Sequence, residues 1–448
     1  MSPDSALPSE PAARRPGDRR DPRTPDRRLP TSTARPGRPG AGLIRAVPDL
    51  PTEAAGGDDG PVPYAGRRLD IALVGTRGVP AQYGGFETAV EEVGRRLAER
   101  GHRVTVYCRS CTPPGVREHL GMRLVRLPAV RTKSLETLSH TAASTAHLLL
   151  HERQDAVVLF NAANAPLLPM LQSRGVGVAT HMDGLEWQRA KWGRAGRRYY
   201  RMAEAMAVRW SNALIADAVG IAEYYTQQFG ASTALIPYGA PLLVDPPSDR
   251  LAELDVSPEA FHVVIARFEP ENHVDLALEG YLRSGARAPL LVVGSAPYAD
   301  QYTARIRALA ATDSRIRLVG ALWDQQLLDQ LYAHALSYVH GHSVGGTNPS
   351  LLRAIGAGTA ALAYDVVFNR EVLGPDGLFF STADELAALI DLAEAAPDDL
   401  RRRGSRLRDR AAALYRWDDV ADRYEDLCVS LAGGLLRSTA TGRRTGRS

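Results

Sequence analysis

From Leu69 onward the chain alternates short apolar runs with helix-patterned segments, in two successive series separated by a proline-rich break. The run Leu69-Asp70-Ile71-Ala72-Leu73-Val74-Gly75 is too continuously apolar for a strand with one wet face. It reads as a strand covered on both sides, and Phe86, Val90, Val93 and Leu97 behind it fall at the spacing of one helix face. Repetition of that unit requires a parallel sheet clothed in helices. The first series continues with strands expected at Arg103 to Tyr107, Met122 to Leu127, Ala156 to Phe160, Val176 to His181, Ala213 to Ala216 and Ala234 to Pro237. The second starts near Phe261, with runs at His262 to Arg267, Leu290 to Gly294, Ile316 to Val319, Ser337 to Val339 and Ala360 to Ala363. Between them Pro237, Gly239, Pro241, Pro246 and Pro247 suit an interdomain linker. The expected class is α/β, with two doubly wound, Rossmann-like domains facing across a cleft at the C-terminal edges of both sheets, where such sheets bind ligands.

Composition narrows the chemistry. The net charge is only +3, from 54 basic and 51 acidic residues, which gives no reason to expect nucleic-acid binding. Lys133 and Lys191 are the only lysines, so phosphate contacts fall to arginine, backbone N–H groups or hydroxyls. Cys108, Cys111 and Cys428 are too scattered for a disulfide framework, and the lone C-x-x-C of Cys108 and Cys111 reads as ordinary strand-end residues with no metal site. No apolar run is long enough to span a bilayer and no secretion signal is evident, so a cytoplasmic location is expected. The two ends lack apolar periodicity and are rich in Pro, Arg and Gly, as disordered tails are.

Three loops carry the candidate chemistry. Gly75 to Gly85 joins the first strand to its helix, and its glycines let backbone N–H groups approach an anion or a sugar; Arg77, Gly84 and Gly85 are its candidate binding residues. The spacing is not G-x-G-x-x-G, and the second strand ends at Tyr107-Cys108-Arg109 without an acid for a ribose, so a nicotinamide cofactor fits poorly. In the second series, Gly341-His342-Ser343-Val344-Gly345-Gly346-Thr347-Asn348-Pro349-Ser350 leads into a helix capped by Asn348 with Pro349 at its first position. Capping does not explain His342, Ser343, Gly346 and Thr347 upstream; with Asn348 and Ser350 they are candidates for a diphosphate site. The third loop, His181-Met182-Asp183-Gly184-Leu185-Glu186-Trp187, offers Asp183 and Glu186 to orient a transferred sugar or take a proton, with a helix or turn cap the alternative for Asp183. Arg189 to Arg201 is basic with interleaved aromatics, a pattern for peripheral contact with an anionic membrane, a lipid-linked diphosphate, or a solvated face.

These motifs resemble a known family. Gly75-Thr76-Arg77-Gly78-Val79-Pro80 with Tyr83-Gly84-Gly85-Phe86-Glu87-Thr88, Asp183-Gly184-Leu185-Glu186-Trp187, and His340 to Leu351 with Phe368-Asn369-Arg370-Glu371 look like the rhamnosyltransferase subgroup of family 4 retaining glycosyltransferases. The resemblance runs from about residue 69 to 430. It implies a GT-B fold, retention at the anomeric carbon, no metal, no cofactor beyond a nucleoside diphosphate sugar as co-substrate, and a glycan or lipid-linked acceptor in polysaccharide biosynthesis. Carried over, Arg267 in Ala266-Arg267-Phe268-Glu269-Pro270-Glu271-Asn272 matches the arginine aimed at the donor diphosphate, with Glu371 a further donor contact. Two features depart from the pattern: Asn272 and His273 stand where many relatives carry a lysine, and Gly345 and Arg353 stand where they carry a spaced pair of glutamates. The implied division is a tail at 1–66, an acceptor-side domain at 67–240, a nucleotide-sugar-binding domain at 241–415, a helix crossing back at 416–432, and a tail at 433–448. A catalytically silent nucleotide-sugar-binding subunit and a GT-B epimerase are the alternatives.

Overall fold

The computed structural model describes residues 66–81, 84–109, 115–130, 136–182, 184–189, 192–295 and 300–436. The first sheet is built from β1 (Asp70–Val74), β2 (Arg103–Cys108), β3 (Glu118–His119), β4 (Met122–Arg126), β5 (Ala156–Phe160), β6 (Gly177–His181), β7 (Ala213–Ala216) and β8 (Ala234–Leu235), in the order β3-β4-β2-β1-β5-β6-β7-β8. The second contains β9 (His262–Ile265), β10 (Leu290–Val293), β11 (Ile316–Gly320), β12 (Ser337–His340), β13 (Ala361–Tyr364) and β14 (Leu378–Phe380), in the order β11-β10-β9-β12-β13-β14. Both orders reverse beside the first strand of their series, the arrangement that opens a ligand crevice at strand C-termini.

The apolar runs are central strands. Every residue of β5 is buried, as is Ile71 to Val74 of β1, because helices cover both faces. The helix Gly85–Glu99 buries Ala89, Val90, Val93, Gly94 and Leu97 against the first sheet; each large aliphatic side chain so placed contributes about 1.5–3 kcal/mol. The pairing is parallel except for β3 with β4, an antiparallel addition at one edge. Neither β3 nor β14 is among the sequence expectations: two or three residues at a sheet edge leave too short a run to show periodicity.

The last helix, Trp417–Ala432, returns to the first sheet. Arg96 pairs with Asp418 at 2.7 Å and Arg100 with Glu425 at 2.6 Å, while Trp417, Tyr424 and Leu427 bury their rings and methyls. The Trp417 ring lies directly against Gly239, where a Cβ would collide with it. One apolar core consequently draws on both sheets and this helix. Among the described residues no helix is long and apolar enough to cross a membrane.

Candidate functional site

The loops that follow β1, β6, β7, β9 and β12 all leave the C-terminal edges of their sheets, and they meet. Gly85, at the start of its helix, packs so closely on Pro349 that a Cβ would stand 3.0 Å from the proline Cγ. Gly184 lies against Gly345 and Gly346, with no room for a side chain between the two backbones. Gly346 in turn covers the carboxylate of Asp217, a 4 % exposed residue after β7, and the Thr347 hydroxyl donates to the Asp217 carbonyl. Thus the glycine loop of the second domain is held between two loops of the first.

A charge cluster closes the same seam. Arg189 pairs with Glu186 at 2.5 Å and reaches Glu269 and Glu271 of the second domain, each at 3.8 Å. Glu186 also accepts from the Trp192 indole at 3.2 Å, so it is buried and doubly held. Arg267 lies 3.7 Å from Glu269 and keeps 39 % of its side chain exposed. Ser343 donates from its backbone N–H, at 2.9 Å, and from its hydroxyl, at 3.0 Å, to the Glu271 carbonyl, which ties the arginine loop to the glycine loop. His342 stacks on His340 with centroids 4.4 Å apart; burial, with His340, Arg267 and Arg189 nearby, holds its pKa well below the ordinary histidine value, so it is a neutral imidazole.

Several candidates have local tasks. Asn348 Oδ1 accepts the Ser350 N–H at 2.9 Å, capping the helix Pro349–Gly356 as its position implies, and the Ser350 hydroxyl lies beside Tyr332 and Tyr338 in the core. Glu87 accepts the Arg77 N–H at 3.0 Å and Glu91 the Ala81 N–H at 2.8 Å, so the first glycine loop is strapped to its own helix. Gly84 has φ 101°, and the Arg77 side chain is exposed. Glu371 makes a contact of its own across the domains: both its carboxylate oxygens accept the Val219 N–H at 3.0 Å, at the first turn of the helix Val219–Phe229 in the other domain. Burial raises its pKa, while the N–H groups of Val219 and Gly220 pull it back. Arg353 is paired with Asp329. Asn272 is 3 % exposed and donates to the Arg267 carbonyl at 2.8 Å, fixing the turn that presents Arg267.

Asp183 and Lys191 lie outside the described residues, as does Cys111. The cross-domain roles of Arg189, Glu269, Glu271 and Asp217 escaped the sequence reading; the one available signal was that Arg189 and Glu186 share a short turn at helical spacing. No cluster of three His, Cys, Asp or Glu side chains suited to a metal occurs among the described residues.

Comparison with known proteins agrees with this geometry. The glycosyl transferase 4-like domain family matches residues 84–239 and the glycosyl transferases group 1 family residues 249–410. No curated protein matches the chain significantly. Among solved structures, sucrose-phosphate synthase from Thermosynechococcus elongatus is similar with a TM-score of 0.71 at 23% identity, covering 82% of this chain and 100% of that one. Anabaena Alr3699/HepE in complex with UDP gives a TM-score of 0.65 at 14% identity, covering 81% of this chain and 100% of that one. An α,α-trehalose-phosphate synthase (UDP-forming) from Burkholderia vietnamiensis gives 0.62 at 11%, covering 81% and 99%. With two facing parallel-sheet domains, each matched by a glycosyltransferase family of its own, the chain belongs with the GT-B glycosyltransferases.

Proposed function

We propose that the chain is a retaining transferase that moves a sugar from a nucleoside diphosphate sugar to a glycan or lipid-linked acceptor during polysaccharide biosynthesis. The observation that carries the reading is the convergence at one seam of two helix N-termini, Gly85–Glu99 and Pro349–Gly356, with the partly exposed Arg267 in electrostatic range of His342 on the glycine loop that leads into the second helix. Helix N-termini and an arginine favour a diphosphate without calling on a cation. The Anabaena protein is described in complexes with UDP and UDP-glucose, which makes a uridine diphosphate sugar the first donor to test here.

In this reading the acceptor hydroxyl bonds to the anomeric carbon on the face the diphosphate leaves. The carbon–oxygen bond to phosphate breaks with its electron pair on the phosphate oxygen, and that oxygen takes the hydroxyl proton. Arg267, with Gly346, Thr347 and Asn348 at the helix start, bears the charge that develops on the leaving group. Gly84 and Gly85 border the transferred sugar, and Asp183 orients it. Glu186 acts through Arg189, holding it at the seam, and closure excludes water so that transfer outruns hydrolysis.

The test is thermal-shift titration with UDP, GDP, dTDP and their sugars, with and without EDTA, followed by an assay of nucleotide release. A selective shift that survives EDTA, with turnover dependent on Arg267, is the expected result; absence of any shift refutes the donor site. The pairing of Arg353 with Asp329, where relatives carry a glutamate, favours a second reading as a silent sugar-nucleotide-binding subunit. Donor binding with neither transfer nor hydrolysis is its signature.

A further inference from the structure

Beside the seam, Trp187, Gln188, Arg194, Arg197, Arg198 and Arg201 line a groove of about 580 Å³. The four arginines stand at i, i+3, i+4 and i+7 of the helix Arg194–Trp210, which brings them onto one stripe over its first two turns. Among the described residues no carboxylate lies within salt-bridge distance of any of the four. Arg95 pairs with Glu99, Arg250 with Asp324 and Arg315 with Asp313, all within 2.8 Å. Arg189, in the same basic run, is taken up by Glu186, Glu269 and Glu271. One buried acid, Glu204, 3 % exposed, lies within electrostatic range of Arg201; burial raises its pKa to about 7, so near neutral pH it is only partly ionised and offsets a fraction of one of the four charges.

One wall of the groove is fixed. The Arg201 guanidinium lies over the Trp187 ring at 4.3 Å from its centroid. Trp187 follows Glu186 directly, so the wall is continuous with the turn that meets the second domain. Four guanidinium forks lining one groove at a helix N-terminus match the oxygens of a phosphate or diphosphate ester.

We propose that this groove binds the phosphate or diphosphate group of the acceptor, so that the acceptor is an anionic phosphate ester. The proposal rests on the transferase reading above for the word acceptor, but its anion site stands on the groove alone. The experiment is calorimetric titration of the full chain with inorganic pyrophosphate, comparing wild type, Arg197→Ala/Arg198→Ala and Arg267→Ala. Arg197 and Arg198 are exposed on a helix, where alanine preserves the fold. The Arg267 variant controls for pyrophosphate binding at the donor position.

Affinity falling about tenfold or more in the double variant and little in the Arg267 variant supports the groove. Loss confined to the Arg267 variant, or equal binding by all three, overturns it. Displacement of bound pyrophosphate by farnesyl diphosphate in detergent identifies a lipid-linked source, and displacement by a hexose 6-phosphate a soluble one. Arginine-dependent pelleting with phosphatidylglycerol vesicles but no pyrophosphate binding overturns the proposal in favour of membrane docking. Nucleotide-induced thermal shifts, measured on the same samples, report the donor site separately: if they are absent while the groove binds, the transferase reading fails and the anion site remains.

Discussion

Gly85 and Pro349 bring the first turns of two helices, one from each domain, into direct contact: a Cβ on Gly85 would stand 3.0 Å from Pro349 Cγ and 3.6 Å from the Tyr238 ring. Two positive helix ends approach each other there, and an anion between or beside them relieves the repulsion. The closeness of the approach also makes the seam sensitive to single atoms.

Gly184→Ala tests that sensitivity. Its methyl would collide with Gly345, in the opposite domain, so the two domains must separate or their loops must shift. Overpacking of this kind costs roughly 1–3 kcal/mol. The expected outcome is a folded protein with an increased radius of gyration in small-angle scattering and strongly reduced turnover; unchanged scattering and turnover would show that the contact is dispensable.

Arg267→Ala removes the exposed guanidinium from the proposed leaving-group position. Turnover should drop about a hundredfold or more, the usual effect of losing one charge-stabilising donor. The melting temperature should change little, because the side chain is partly solvated and its contact with the Glu269 carboxylate is a long one, at 3.7 Å. Near wild-type turnover removes Arg267 from the site.

Arg189→Met leaves Glu186 and Glu271 buried, with side chains 7% and 5% exposed, and takes away the cation between them. Breaking a buried cluster from one side costs roughly 3 kcal/mol. Urea denaturation should show the loss as a lower midpoint, and replacing Glu186 and Glu271 together with glutamine in the same background should recover part of it. A midpoint equal to wild type would mean that the cluster is solvated in solution.

Glu204 supplies a pH dependence. Burial raises its pKa from 4.5 to about 7, so the folded state holds a proton that the unfolded chain releases. The stability it contributes is fully present below 4.5 and is lost as pH rises through about 7. Glu204→Gln cannot ionise and should therefore gain on wild type across that window, by on the order of 2–3 kcal/mol above it. Melting curves of the two proteins from acidic to neutral pH provide the check, and parallel pH profiles would contradict the assignment.

Much of the scaffold was legible in one dimension. β1, β5 and β10 are buried along their apolar runs, so a continuous apolar signal identifies them, and Asn348-Pro349 marks the start of the helix Pro349–Gly356. β3 and β14 were not legible, because a two- or three-residue edge strand has no period to detect. Among the site candidates, Gly85, Gly346 and Thr347 come together at the seam, and Glu371 accepts the Val219 N–H of the other domain, two residues after Asp217.

The amino-acid sequence by itself determined which segments become strands and helices and which loops carry glycine, because those depend on neighbours a few positions away. Tertiary structure decided how the charges are distributed. Arg189 and Arg197 belong to one basic run and are indistinguishable by local pattern, yet Arg189 meets Glu269 and Glu271 from the other domain while Arg197 faces a groove. Coulomb interactions act over a few ångströms of space, and which acids arrive within that range is set by the packing of two separate sheets.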